Sequence, residues 1–129
     1  MICDIHSHTK DFSADSAMSY NDLIEFLKIN SDKCVCTTEH LDYDYSLHVP
    51  FDELVVDLDD YSFKFNKFKD KYIESFKGIY PVLFGVEFGY LNHLGDFYRF
   101  VSQLINFDCI ISSVHCIDNC DPYWDNKIF

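Results

Sequence analysis

The residues best suited to chemistry in this 129-residue chain are histidines and carboxylates that follow short apolar runs. His6 and His8 follow the first run, His40 the second, Glu87 the third and His115 the fourth. A lone histidine after a strand is more often structural, but such residues after four successive runs indicate one shared site. Imidazole and carboxylate together bind divalent ions such as Zn, Mn or Fe.

The spacing of the first two histidines also favours a metal site. His6 and His8 are two residues apart, so on an extended strand their rings point the same way, about 7 Å apart by backbone rise. Asp15, in the segment after His8, could add an oxygen ligand, and Asp11 is a competing candidate. Because the sequence lacks the paired CxxC motifs of a structural zinc site, such a cluster favours a catalytic centre with open water positions.

A centre of this kind is suited to hydrolysis by a metal-bound hydroxide. Bound metals lower the pKa of a water molecule, and two close metals neutralise charge on a phosphoryl group during in-line attack. No protein nucleophile is then required. The hydroxyl residues near the candidate ligands have no visible base and orienting partner, and backbone spacers are their simpler interpretation. They are Ser7, Thr9, Ser112 and Ser113.

The elements that must position these residues alternate between strand-like and helix-like segments. Four short β-prone runs precede the candidate ligands, at 2–5, 33–38, 81–86 and 108–114. This alternation predicts βα units and a parallel α/β sheet, with both faces of its apolar strands covered. The carboxyl ends of parallel strands in a barrel meet at one rim, where active sites form, so we expect the candidate ligands to converge there.

Three intervening segments have the apolar spacing of amphipathic helices. The first begins at Ser19, which forms a capping-box pattern with Asp22. The second runs over 58–76 and is followed by Gly78, a residue typical of helix ends. The apolar positions of the first helix are Leu23, Ile24, Phe26 and Leu27, and those of the third are Phe97, Phe100, Val101, Leu104 and Ile105.

The composition argues against several classes of protein. The hydrophobic fraction of 48% is enough for the core of one globular domain. A net charge of −12, with Arg99 as the single arginine, argues against nucleic-acid binding, because such proteins neutralise phosphates with Lys and Arg. No membrane span or secretory signal pattern is visible. We therefore expect a cytoplasmic protein with free thiols, of which Cys3, Cys34, Cys36 and Cys109 are expected to be small buried strand residues.

Four motifs resemble those of the PHP (polymerase and histidinol phosphatase) superfamily. They are DIHSHT at 4–9, TEH at 38–40, GVEFG at 85–89 and SSVH at 112–115. Their order and spacing fit the family over nearly the whole chain. The long insertion between the second and third motifs, and an aspartate (Asp15) at the third ligand position, make the chain most similar to the histidinol-phosphate phosphatases.

The resemblance implies a fold, an activity and a set of ligands. The fold is a distorted, TIM-like (β/α)7 barrel, of which about four βα units would be present here. The activity is hydrolysis of L-histidinol phosphate, a small phosphorylated substrate, to histidinol and phosphate in histidine biosynthesis. Up to three divalent metals are implied. Their ligands would be His6 and His8 on the first, Glu87 bridging two, His115 on the second, and Asp15 with His40 on the third.

The family pattern also has parts that this chain lacks. Family members are about twice as long, and their later motifs supply another histidine, an Asp-x-His pair and basic residues for the phosphate. Only fourteen residues follow His115, without His or Arg. We expect a single domain over 1–129, truncated on its C-terminal side, that forms a dimer or pairs with a complementing chain. The alternatives are an inactive metal-binding remnant that serves assembly, and a PHP phosphoesterase acting on another substrate.

Overall fold

The computed structural model describes residues 2–13, 15–43, 66–67, 70 and 82–117. The strands are β1 (Ile2–Ser7), β2 (Lys33–Leu41), β3 (Val82–Gly89) and β4 (Cys109–Ser113), and the helices are α1 (Tyr20–Ile29) and α2 (Gly95–Leu104). All three strand pairings are parallel, and the order in the sheet is β1-β2-β3-β4. The predicted partial barrel of parallel strands is confirmed.

Both helices cover the same face of the sheet. The Tyr20 ring of α1 stacks on Phe84, with ring centroids 5.8 Å apart. The Tyr98 ring of α2 stacks on Phe88 at 4.4 Å. Since side chains alternate along a strand, Phe84 and Phe88 share one face of β3, and Glu87 belongs to the other. The helix-covered face therefore holds the apolar core, and the opposite face is left for polar residues.

The start of α1 is capped as the sequence predicts. The hydroxyl of Ser19 accepts a hydrogen bond from the backbone N–H of Asp22 at 3.2 Å. In return, the Asp22 carboxylate accepts one from the backbone N–H of Ser19 at 3.0 Å. This reciprocal capping box fixes where the helix begins, and with it the length of the segment between β1 and α1.

The pairing of β1 with β2 has an irregularity beside the first candidate ligand. Asp4 pairs with Val35, and the next pair is Ser7 with Thr37. This interval is three residue steps long in β1 but only two in β2, so β1 has one extra residue here. An extra residue in a strand re-aims the neighbouring side chains. His6 lies within this interval, so its direction depends on the irregularity.

Some predictions of burial are wrong. Phe26 on α1 is about half exposed. Phe100 and Leu104 on α2 are also about half exposed, because the buried positions of α2 are Tyr98 and Val101 instead. The side chains of β1 are exposed almost throughout, including Cys3. Within the described ranges β1 is an edge strand with one neighbour, so the prediction that all strands are covered on both faces fails there.

The predicted helix over 58–76 lies mostly outside the described residues, as do Gly78 and Cys120. The three described positions within its range, Asn66, Lys67 and Asp70, are helical. The five cysteines in the described part of the chain are free thiols. None of the described helices is both long enough and apolar enough to cross a bilayer.

Candidate metal centre

Four histidine rings lie together at the carboxyl ends of the strands. The rings of His8 and His40 are stacked, with centroids 4.2 Å apart and planes 7° from parallel. His6 packs edge-on against His8 at 5.1 Å, and His115 packs edge-on against His40 at 4.9 Å. The residues that the sequence singles out at three separate strand ends are therefore in contact with one another.

Glu87 lies among these four rings. Its Oε2 is 2.9 Å from His6 Nε2, 3.4 Å from His8 Nε2 and 3.5 Å from His40 Nδ1. Its Oε1 is 3.1 Å from His115 Nε2. The side chain is only 3% exposed. Burial alone would raise the pKa of Glu87, but hydrogen bonds with His115 and His6 lower that pKa well below its ordinary value, so the carboxylate is ionised.

The two aspartates that compete as an extra ligand have different positions. Asp15 Oδ2 lies 3.3 Å from His40 Nε2, at the exposed side of the cluster. Asp11 accepts a hydrogen bond from the backbone N–H of Tyr20 at 2.6 Å. Asp11 therefore holds the start of α1, and Asp15 is the one beside a candidate ligand.

Asp42 is part of the cluster although the sequence reasoning did not single it out. Its Oδ1 is 2.6 Å from His115 Nδ1, and its Oδ2 is 3.6 Å from His40 Nδ1. The side chain is 3% exposed. A signal was available in the sequence, because Asp42 follows His40 by two residues, the same spacing that places His8 beside His6.

Gly89 provides the space that Asp42 occupies. A Cβ atom on Gly89 would overlap Asp42 Oδ1 and would lie 3.1 Å from His115 Nδ1. A glycine at the end of β3 thus permits the carboxylate to approach the backbone. The position of Asp42 depends on this missing side chain.

Glu39 anchors the segment that follows β1. Its carboxylate accepts hydrogen bonds from the Thr9 backbone N–H at 3.0 and 3.1 Å, from the Thr9 hydroxyl at 2.8 Å and from the Ser13 hydroxyl at 2.8 Å. Ser13 Oγ also accepts a bond from the backbone N–H of His40 at 3.3 Å. Burial raises the pKa of Glu39 to about 7 despite these donors. The network ties the segment that carries Asp15 to β2.

The electrostatics of the histidines follow from these contacts. Burial alone would lower the pKa of His115, but hydrogen bonds with Asp42 and Glu87 raise that pKa to about 10. The pKa of His8 is lowered, first by burial and then by the neighbouring His40. A bound cation would displace the proton only from the ring nitrogen that it occupies.

The donor atoms fit divalent metals. His6, His8 and Glu87 form one group, and His40, Asp42 and His115 form another, each with three ligand atoms within 4.8 Å of one another. Nδ1 of His8 and Nδ1 of His40 are buried without a hydrogen-bond partner among the described residues. Buried polar atoms are normally hydrogen-bonded, and a cation would satisfy a nitrogen such as that of His40, which lies close to two carboxylates.

The known proteins that this chain resembles are consistent with its partial parallel barrel and its rim of histidines and carboxylates. A family model described as the PHP domain matches residues 4–129, so the chain belongs to the PHP domain family. A protein of Clostridium acetobutylicum named probable histidinol-phosphatase is 28% identical over 123 residues, which are 95% of this chain and 43% of that protein.

The fold is shared with a solved structure. The crystal structure of histidinol phosphate phosphatase from Lactococcus lactis subsp. lactis, complexed with Zn, L-histidinol and phosphate, matches with a TM-score of 0.74 at 22% identity. The match covers 93% of this chain and 42% of that one. The chain therefore spans less than half the length of either relative, and the predicted likeness to their N-terminal halves is confirmed.

Proposed function

We propose that this chain forms part of a metal-dependent phosphoesterase that hydrolyses L-histidinol phosphate to histidinol and phosphate. The strongest support is the position of Glu87, a buried, ionised carboxylate in contact with four imidazoles from three strand ends. The names of the two relatives support the choice of substrate, since one is a probable histidinol-phosphatase and the other binds L-histidinol and phosphate.

We propose six residues as metal ligands, with Glu87 shared between two metals. The contacts support this grouping, because Glu87 Oε2 faces His6 and Oε1 faces His115. A third site between Asp15 and His40 is supported by the 3.3 Å separation of their ligand atoms. The proposed ligands are His6, His8, Asp15, His40, Glu87 and His115.

Divalent cations such as Zn, Mn or Fe, when bound, would activate water for attack on phosphorus and neutralise charge on the phosphoryl group. The chain itself would hold these ions through the buried Glu87, the largely buried His8, His40 and His115, and the half-exposed His6 and Asp15. Its single arginine, Arg99, is paired with Asp96 at 2.8 Å on the exposed side of α2. Contacts from arginine to the substrate phosphate would therefore come from further polypeptide.

A second candidate is a metal-binding module without activity of its own. It is favoured by the match to only 43% and 42% of the two relatives. We propose that an active site requires further strands, from a longer chain, a second copy in a dimer or a complementing chain. The exposed side chains of Ile2 and Ile5 on the edge strand β1 support such pairing, because exposed apolar edges invite it.

The test combines metal analysis with an assay of phosphate release. The protein is stripped with a chelator, reloaded with Zn or Mn, and analysed for ions per chain and for turnover of L-histidinol phosphate. We expect bound metal and, where the site is complete, three ions and turnover. One ion or none without turnover would favour the inactive module. Hydrolysis of phosphotyrosine or DNA in preference to L-histidinol phosphate would contradict the proposed substrate.

A further inference from the structure

We propose that Asp42 is a positioning residue for His115, whose Nδ1–H it holds so that Nε2 is directed at a cation shared with Glu87. This role rests on the proposed metal-dependent function. In this role Asp42 orients a metal ligand and does not itself bind the metal.

The two ring nitrogens of His115 face different carboxylates. Nδ1 is 2.6 Å from Asp42 Oδ1, and Nε2 is 3.1 Å from Glu87 Oε1. An ionised carboxylate can only accept hydrogen bonds, so the nitrogen beside Asp42 carries a proton. The tautomer of a metal-bound histidine is set by the partner of its other nitrogen, and here that partner is Asp42.

The surroundings of the two carboxylates show which side of the ring belongs to the cation. Glu87 Oε2 is within 3.5 Å of a nitrogen of His6, His8 and His40. Asp42 Oδ2 is 3.6 Å from His40 Nδ1, the same nitrogen that lies 3.5 Å from Glu87 Oε2. Glu87 thus contacts all four imidazoles, with His115 at Oε1, whereas the 2.6 Å contact between Asp42 Oδ1 and His115 Nδ1 is a hydrogen bond. We therefore assign the Glu87 side of the His115 ring to the cation.

The Asp42 carboxylate is held in place by its packing. It is 3% exposed and occupies space that any Cβ atom on Gly89 would fill. A buried carboxylate is costly unless it is hydrogen-bonded, and the short contact with His115 supplies that bond. A fixed carboxylate of this kind restricts the orientation of the ring as well as its tautomer.

Two variants of Asp42 test the role. Asp42→Ala removes the acceptor, whereas Asp42→Asn keeps the size and leaves an amide oxygen that can still accept from Nδ1–H. Asp96→Asn, on the exposed side of α2, is the control. Zn affinity is measured by competition with a chromophoric chelator, and the His115 tautomer is read from ¹⁵N-histidine NMR of the Zn-loaded protein.

We expect Asp42→Ala to weaken Zn binding about 10- to 100-fold and to abolish the single Nδ1–H form of His115. Asp42→Asn should retain that form with a smaller loss, and it keeps the test open if Asp42→Ala does not fold. Unchanged Zn affinity in both variants would overturn the role, and so would protonation of His115 at Nε2 in the Zn-loaded wild type. A weakened affinity with an unchanged tautomer would make Asp42 a direct ligand instead. Absence of Zn binding by the wild type would refute the proposed function itself, before any variant is compared.

Discussion

His40 on β2 is the direct Cα partner of Glu87 on β3, and their side chains meet with His40 Nδ1 3.5 Å from Glu87 Oε2. Parallel pairing thus places an imidazole and a carboxylate, far apart in the chain, at the same level of the sheet. Since Glu87 also contacts the other three histidines, the cluster should respond as a unit to changes at this carboxylate.

Glu87→Gln should reduce metal binding more than any single histidine change. The amide has no charge and cannot bridge two cations as a carboxylate does, so we expect the loss of at least one ion per chain, measured by elemental analysis. Glu25→Gln is the matched control, because Glu25 is exposed and pairs only locally with Lys28 on α1 among the described contacts. Equal metal content in the two variants would contradict the central position given to Glu87.

Gly89→Ala should destabilise the fold and disturb the site. The new Cβ would overlap Asp42 Oδ1, and forced overpacking of this kind costs about 1–3 kcal/mol. Urea denaturation measures the loss in the free energy of unfolding. Gly95→Ala is a control on α2, where an added Cβ meets nothing within 4 Å, so its stability should be unchanged or raised by up to about 1 kcal/mol. Equal effects of the two changes would show that Gly89 does not make room for Asp42.

Glu39→Ala should loosen the segment after β1. The change leaves the donors of Thr9 and Ser13 without their buried acceptor, which we expect to cost about 2–3 kcal/mol of unfolding free energy. Hydrogen exchange at the Thr9 amide should accelerate, and this separates loss of the network from general destabilisation. Protection of that amide at the wild-type level, relative to the amides of β3, would count against the anchoring role of Glu39.

The cysteines should differ in reactivity. Burial raises the pKa of the Cys36 thiol to about 12 and that of Cys34 to about 11, so both should stay protonated and unmodified by iodoacetamide at pH 8. Cys3 is exposed on the edge strand and should react readily, as mass spectrometry of the native protein would show. Faster modification of Cys36 than of Cys3 would contradict the description of the sheet. Concentration-dependent protection of Cys3 would indicate that a second copy covers β1.

The candidate ligands could be predicted from the sequence because they follow apolar runs that form strands. An apolar run followed by His40 or His115 predicts both a strand and the rim on which its last residue lies. Asp42 was not singled out because the predicted second β-prone run ends at position 38, whereas β2 continues through Leu41. The position of Asp42 also depends on Gly89, which is distant in sequence and leaves room for the carboxylate because it has no side chain.

Exposure of the helix residues was less predictable, for a related reason. Spacings of three and four residues predict an amphipathic helix but allow neighbouring stripes to serve as its buried face. On α2 the stripe of Tyr98 and Val101 is buried and that of Phe100 and Leu104 is exposed. The choice between them is made by contact with Phe88 on β3, which is tertiary information.

Glu39 and His40 are neighbours on β2, yet their side chains serve opposite faces of the sheet. One binds the preceding segment through Thr9, and the other enters the histidine cluster. Insertion or deletion of one residue within β2 would turn each of these side chains to the other face of the sheet. Glu39 would then no longer bind Thr9, and His40 would no longer lie in the histidine cluster. The length of this strand is therefore as strictly constrained as the identity of the residues at its end.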